Sequence, residues 1–387
     1  MGTAAVTAST PLSGSTGRRF TLLSVLLVVL ASCSEGGVKI TPVSQQPATP
    51  ERTATRMARA TPAPTPRLPA IAVQSFRPAG GYTSMIADRR GVYWLGGGVP
   101  LQAVVMGAAQ TGEGERVLAR PLRDGEAVGR PLPAGEWLLF PETQDTNAAG
   151  GPWRVRAVHL SSGRERIVDG AQDGWDGLSL AVAGARAAYT VGVGSGVEVA
   201  SEVRLWDTGT EEPRTVLRTA PGVTLQRIAF DGRAAAAVRT TRLPDGAVAT
   251  DVVELDLSAG RLLPLPAQNA TMPGIAPRWI VWVTIPVGGT ANQLVLFDRE
   301  RRTTRVIADS GQGHSLHNPS ISGNLVTWNS SDTSAIALYD AEQRAGFVID
   351  QGVVGKVWIH EGVLVWTALN AATRAYELKV GTLSLTP

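Results

Sequence analysis

From about residue 71 onward the chain repeats one pattern of apolar and polar positions. A turn residue, usually glycine, opens a short apolar run that usually ends on an aromatic. The runs are GVYW (91–94), GEWLLF (135–140), GARAAY (184–189), GRAAAA (232–237), PRWIVW (277–282), GNLVTW (323–328) and GVLVW (362–366). Their ends fall at 94, 140, 189, 237, 282, 328 and 366, a spacing of about 46 residues with a shorter last step. After each run, blurred only in the first copy, come an alternating strand, a tight turn and a second alternating strand. The clearest copies are 155–168, 202–217, 252–265, 293–307 and 335–349, where Leu294/Leu296 and Ile336/Leu338 keep the period of two of half-buried strands. Asp207, Asp256, Asp298 and Asp340 close the first strand of the hairpin, and His159 takes that place once. A short carboxylate there accepts backbone N–H groups of the turn.

Each unit thus predicts a connecting strand, a central strand and a hairpin, the size and content of one β-propeller blade. A lone four-stranded sheet leaves both faces uncovered, whereas blades packed around an axis bury both and leave only short outer edges. The predicted fold is all-β: a propeller of seven four-stranded blades over residues 71–387, with six or eight also open. Trp94, Phe140, Tyr189, Trp282, Trp328 and Trp366 are placed to fill the space between blades. The first blade has to draw its inner strand from 71–87. The last unit, 352–387, is long enough for four strands, so closure is expected without a blade shared between the termini.

Residues 319–340 (PSISGNLVTW…ALYD) resemble the TolB-like, WD40-like propeller repeats of bacteria. In those, Pro, any residue and Ser-Gly precede an apolar strand ending in Trp, and an aromatic-Asp pair opens a hairpin. The resemblance covers most of 71–387 and is strongest over 275–350. Units one and four depart from it, through Gly96-Gly97-Gly98 and the aromatic-free Ala234–Ala237. What it implies is architecture, because propellers host many unrelated activities.

Ahead of the repeats the pattern is different. Arg18 and Arg19 precede an apolar stretch from Phe20 to Leu30, too short to span a bilayer, which takes about 20 helical residues. Residues 1–32 therefore predict a secretion signal. Thr21 stands where a twin-arginine signal has a bulky apolar residue, and the export route stays open. Leu30-Ala31-Ser32-Cys33 resembles the lipobox of bacterial lipoproteins, which implies cleavage before Cys33 and acylation of its thiol. The alternatives are an ordinary signal peptide with an accidental cysteine, or a buried structural cysteine. Residues 33–70 are rich in Pro, Thr and Ala and bury too little to fold, so they predict a spacer.

Charge narrows the partners. The formal +3 includes two positive charges in 1–32 and a net three in 34–70, which leaves about −2 for residues 71–387. Phosphate-backbone binding needs a concentrated basic face, so no nucleic acid is expected.

The chemistry-bearing motifs are sparse. Gly192-Val193-Gly194-Ser195-Gly196 has the wrong order for a serine-nucleophile elbow and reads as a hairpin tip. His314 and His317 with Asp309 have metal-ligand spacing only if helical, and they sit in a glycine-rich connection. Asp169, Asp173 and Asp176 around Trp175 could handle a sugar, or simply form an exposed loop. The expectation is therefore a monomeric, extracytoplasmic lipoprotein on the cell or outer membrane, held by acylated Cys33, with no catalytic residue, metal or cofactor. It would not be an enzyme but a binding or scaffold module for an envelope protein, peptide or glycan. The alternative is an envelope hydrolase or lyase with its site at the central mouth.

Overall fold

Alternating residues put one side of each strand against a neighbouring sheet, and the glycines and aspartates between them turn the chain back. In the computed structural model the described residues are 70–97, 103–144, 151–172, 175–210, 212–285, 291–311, 314–331 and 335–383. The signal segment, Cys33 and nearly all of the spacer lie outside them. The result is a seven-bladed propeller of antiparallel sheets. Within each blade we name the strands a to d from the axis outward. The inner strands crowd one another around the axis. The ab and cd turns lie on one face, the bc and da connections on the other.

The core lies between blades rather than inside them. Met85, Val92 and Trp94 of blade one pack on Val363, Val365 and Val380 of blade seven. Trp279 and Val281 of blade five pack likewise on Val326 of blade six. Trp94, Phe140, Tyr189, Trp282 and Trp366 are each at most 1 % exposed, as their placement predicts, while Trp328 is only half-buried. Blade four fills the same space with Ala235, Ala237, Leu225 and Phe230, which is how it does without an aromatic on its central strand.

The repeat motifs have local jobs. Ser320 and Ser322 accept the backbone N–H groups of Ile359 and Gly362 at 3.0 and 2.9 Å, and Ser179 accepts that of Ile228 at 2.9 Å. These serines tie one blade to the inner strand or ab turn of the next. Asp298 and Asp340 each accept two N–H groups of their cd turns, at 3.1 Å and 2.9 Å. Asp207 and Asp256 each accept one, at 3.1 and 3.0 Å.

Closure differs from expectation. Residues Ile71–Phe76 form strand d of blade seven, paired from Ile71↔Leu383 to Phe76↔Leu378, so the two ends of the repeat region share a blade. Blade seven spends residues 354–383 on three strands of seven, eight and nine residues, and its fourth comes from Ile71–Phe76.

The inner strands are irregular in a repeated way. Ser84, Arg227, Met272 and Asn318 each carry φ between 49° and 55° inside a β-bulge at the same step of strand a. A bulge bends and twists its strand. In blade two the inner strand is broken outright, into Glu126–Val128 and Leu132–Ala134, both paired with Trp137–Gln144. Pro131 lies in the break, and proline lacks the N–H that a ladder needs.

Candidate functional site

Arg130 stands in that break. Its guanidinium carbon lies 3.6 Å from the ring centroid of Trp358, on strand a of blade seven (Val354–His360). Blade one separates these two blades in the ring, so the arginine reaches past it along the channel wall. Trp358 and His360 alternate with Val357 and Ile359. The latter two are buried against blade six, which turns Trp358 and His360 the other way. One pleat beyond Trp358, His360 ends the strand at the ab-turn mouth.

Three polar atoms in this cluster are buried without a hydrogen-bond partner: Nε of Arg130, Nε1 of Trp358 and Nε2 of His360. Among the described residues Arg130 makes no ion pair. Desolvation lowers its pKa with no carboxylate to offset it, although a guanidinium stays charged at neutral pH. Burial also holds His360 below the ordinary imidazole range, against the opposing pull of Glu361, and Arg130 adds to the lowering. A neutral imidazole beside a fixed cation is the outcome. Its sign follows: the unfolded chain binds the proton more readily, so this site loses stability as pH falls below about 6.5.

The mouth beyond His360 is a cavity of about 370 Å³ walled by the ab turns of blades three to seven. Glu361 crosses it, accepting the backbone N–H of Gly184 at 3.0 Å. Its oxygen is 4.0 Å from His360 Nε2. Asp88, on the ab turn of blade one, is committed to that turn: it accepts the N–H groups of Arg90 and Gly91 at 2.8 and 3.0 Å. A neutral base and one carboxylate thus stand at the mouth, with an unpaired cation stacked on an aromatic ring buried behind them.

The candidates singled out from sequence fall elsewhere. Asp309 is held by the Gly311 N–H and the Gln293 amide. It forms no metal-binding group with His314 and His317, and no cluster of three such ligands occurs among the described residues. Asp169 accepts the Tyr189 hydroxyl at 2.6 Å and Arg204 at 2.8 Å, an inter-blade brace rather than a sugar site. Asp173 and the side chains of Trp175 and Asp176 lie outside the described residues. Ser195 is exposed on a bc connection. Arg130, Trp358 and His360 were not anticipated. The one available signal was Arg-Pro-Leu-Pro at 130–133, prolines interrupting an expected strand.

No protein-family model matches the sequence, and no curated protein does. Solved structures do match. The propeller domain of the Trilobed protease from Pyrococcus furiosus gives a TM-score of 0.59 at 10% identity, covering 79% of this chain and 97% of that one. A prolyl endopeptidase gives 0.55 at 15% identity over 79% of this chain, which spans about half (49%) of the enzyme's length. An oligogalacturonate lyase described in complex with manganese gives 0.51 at 10% identity, covering 82% of this chain and 97% of the lyase. TolB from Acinetobacter baumannii is also similar, with a TM-score of 0.42 at 14% identity over 66% of this chain and 62% of that one. At such identities the likeness to the better-scoring structures establishes the fold alone, a propeller that resembles peptidase and lyase propellers. It also overturns the expectation that the chain is not an enzyme. That expectation rested on missing linear motifs, and enzymes are prominent among the proteins sharing this fold.

Proposed function

We propose that the chain is an extracytoplasmic hydrolase or lyase whose site is the channel around Arg130, Trp358 and His360, and whose substrate is an anionic oligosaccharide. The observation that carries the reading is the unpaired Arg130 guanidinium stacked on Trp358, next to an imidazole that burial keeps neutral. An aromatic face accepts a sugar ring, and a guanidinium fork matches a carboxylate. Of the two reactions, elimination from a uronate fits these groups better. Arg130 would neutralise the carboxylate and so acidify the adjacent C–H. His360 would take that proton as the glycosidic C–O bond breaks and the ring double bond forms, and the departing oxygen would take a proton from water and leave as a hydroxyl.

The lyase noted above lends this reading its substrate class. The manganese described for it has no matching group of three His, Cys, Asp or Glu ligands among the described residues here. Export and attachment through Cys33 belong to the same proposal, since polymeric acidic glycans are met outside the cytoplasm.

The test is to incubate the purified chain with oligogalacturonate and with a neutral oligosaccharide, following the ultraviolet absorbance of unsaturated uronate products. Product from the acidic substrate alone, abolished in His360→Gln and Arg130→Gln variants that melt as the parent does, supports the lyase. New reducing ends without that absorbance point to hydrolysis. Tight binding with no product would return the channel to a recognition role.

A further inference from the structure

A second cleft lies away from the channel, on the ab/cd face between blades five and six, with a volume of about 370 Å³. Trp279 and Leu296 line its floor, and Arg278, Arg301, Arg305 and Arg344 stand around it. Arginines of blade five thereby meet the cd turn of blade six.

Of the two carboxylates in the lining, Asp298 is neutralised, and Glu342 is hydrogen-bonded but keeps its charge. Asp298 accepts two backbone N–H groups at 3.1 Å and the Arg278 guanidinium at 3.0 Å. Glu342 accepts the Asn324 amide at 2.7 Å. The balance left is cationic. Arg301 approaches a carboxylate only at 3.9 Å, with 64% of its side chain exposed. Among the described residues neither Arg305 nor Arg344 forms an ion pair. Arg305 is held in place without being neutralised: it lies 5.2 Å from the Trp279 ring and 5.7 Å from that of Tyr339. It donates to the Ala341 carbonyl, and its Nε is buried with no partner. Burial lowers its pKa, and Arg344 and Arg278 add to the lowering. The hydroxyl residues Thr303 and Thr304 complete the lining.

One anchored guanidinium, exposed arginines beside it and two hydroxyls, outnumbering the single unneutralised carboxylate of Glu342, are the chemistry that recognises a tetrahedral oxyanion. We infer that this cleft binds phosphate, either free or as the headgroup of an anionic lipid. A second observation bears on the lipid source. Ile71 lies at the cd-turn end of its strand, so the chain enters the propeller on the face that carries the cleft. A propeller tethered through Cys33 could turn that face to headgroups, and only this lipid arm rests on the anchor. The channel shares no residue with the cleft, so either site can fail while the other stands.

The experiment uses the full chain with Cys33→Ala, so that no acyl chain carries it to lipid. Inorganic phosphate is titrated by calorimetry, and flotation is measured with phosphatidylglycerol-containing and pure phosphatidylcholine vesicles. Phosphate binding that falls at least tenfold in Arg305→Gln/Arg344→Gln supports the site. Arg344→Gln alone, at an exposed turn, should weaken it in the same direction with an unchanged melting temperature. Flotation that needs phosphatidylglycerol and is competed by phosphate assigns the lipid source; heat without flotation assigns soluble phosphate. No phosphate heat and no phosphatidylglycerol-dependent flotation, or binding unchanged in both variants, overturns the inference.

Discussion

Blade one has two neighbours, and it is joined to them by different physics. Toward blade seven the seam is apolar, with Met85, Trp94 and Val92 against Val363, Val365, Leu378 and Val380. Toward blade two an apolar cluster that joins Ile86, Tyr93, Leu95 and Val105 to Leu138, Leu139 and Phe140 shares the seam with ion pairs buried within blade two itself. Arg154 pairs with Glu126 at 2.7 Å, and Arg156 pairs with Glu142 at 2.9 Å and also with Glu165. Glu142 accepts the Leu122 N–H at 2.7 Å, and Arg156 donates to the Arg120 carbonyl at 2.7 Å. Arg156 and Glu142 are 2 % and 0 % exposed. An apolar seam draws stability from area and tolerates many partners. The ions beside it must first offset the desolvation of their charges, and what they offer the connection from blade one is two hydrogen bonds, at Leu122 and Arg120.

The largest test of this contrast removes the closing strand. Deleting residues 71–76 strips six rungs from blade seven together with Phe76, whose ring lies 6.0 Å from that of Trp94. The expected loss is about 5 kcal/mol or more, with calorimetric unfolding no longer a single transition. Next comes Glu142→Leu, which leaves two arginines buried beside Leu and should cost roughly 3–5 kcal/mol by urea denaturation. Replacing Glu142 and Arg156 together by Leu and Met should recover much of that loss. A double replacement as damaging as the single would show that the ion pair is stabilising in itself. In the apolar seam, Val365→Ala removes two buried carbons, about 1.6 kcal/mol of transfer free energy plus any residual cavity.

The smallest effect lies in the seam between blades six and seven, which mixes the two kinds. There Asp350 accepts both Lys379 and the Trp366 indole at 2.7 Å. Burial opposes its charge, yet the bonds from Lys379 and Trp366 prevail and hold it below the usual carboxylate range. A depressed carboxylate stabilises fully above its unfolded value of about 3.9 and loses that contribution as pH falls through its folded value. Acid titration of Asp350→Asn, followed by tryptophan fluorescence, should therefore show a smaller loss of stability below about pH 4 than the parent chain does.

These seams also explain what could be read ahead of the structure. The central strands announce themselves because each must bury both faces, so their apolar runs recur with the blade period. The turn aspartates are legible because their partners are two or three residues away. Residues 71–76 (IAVQSF) carry no such signature: as an outer strand four of the six are exposed, and their partners lie more than three hundred residues on. The channel site is hidden for the same reason. Arg130 and Trp358 are over two hundred residues apart, and only ring closure brings them together. The ions of blade two stand singly in the sequence as Glu126, Glu142, Arg154 and Arg156, with nothing to separate them from surface charges until the sheet pairs Glu142 with Arg154.

The shared blade has a mechanical consequence. Ile71 is paired at the very edge where the preceding chain arrives, and the strand runs away from that edge toward Phe76. A pull on residue 70 directed away from that face acts along the strand, so its rungs are loaded together in shear instead of peeling one after another. The force passes straight to the terminal strand of the chain, and from there into the sheet that bears Trp358 and His360. Tension on the leading segment is thus borne first by the blade that forms one wall of the channel, making that wall the part of the ring most exposed to strain from outside.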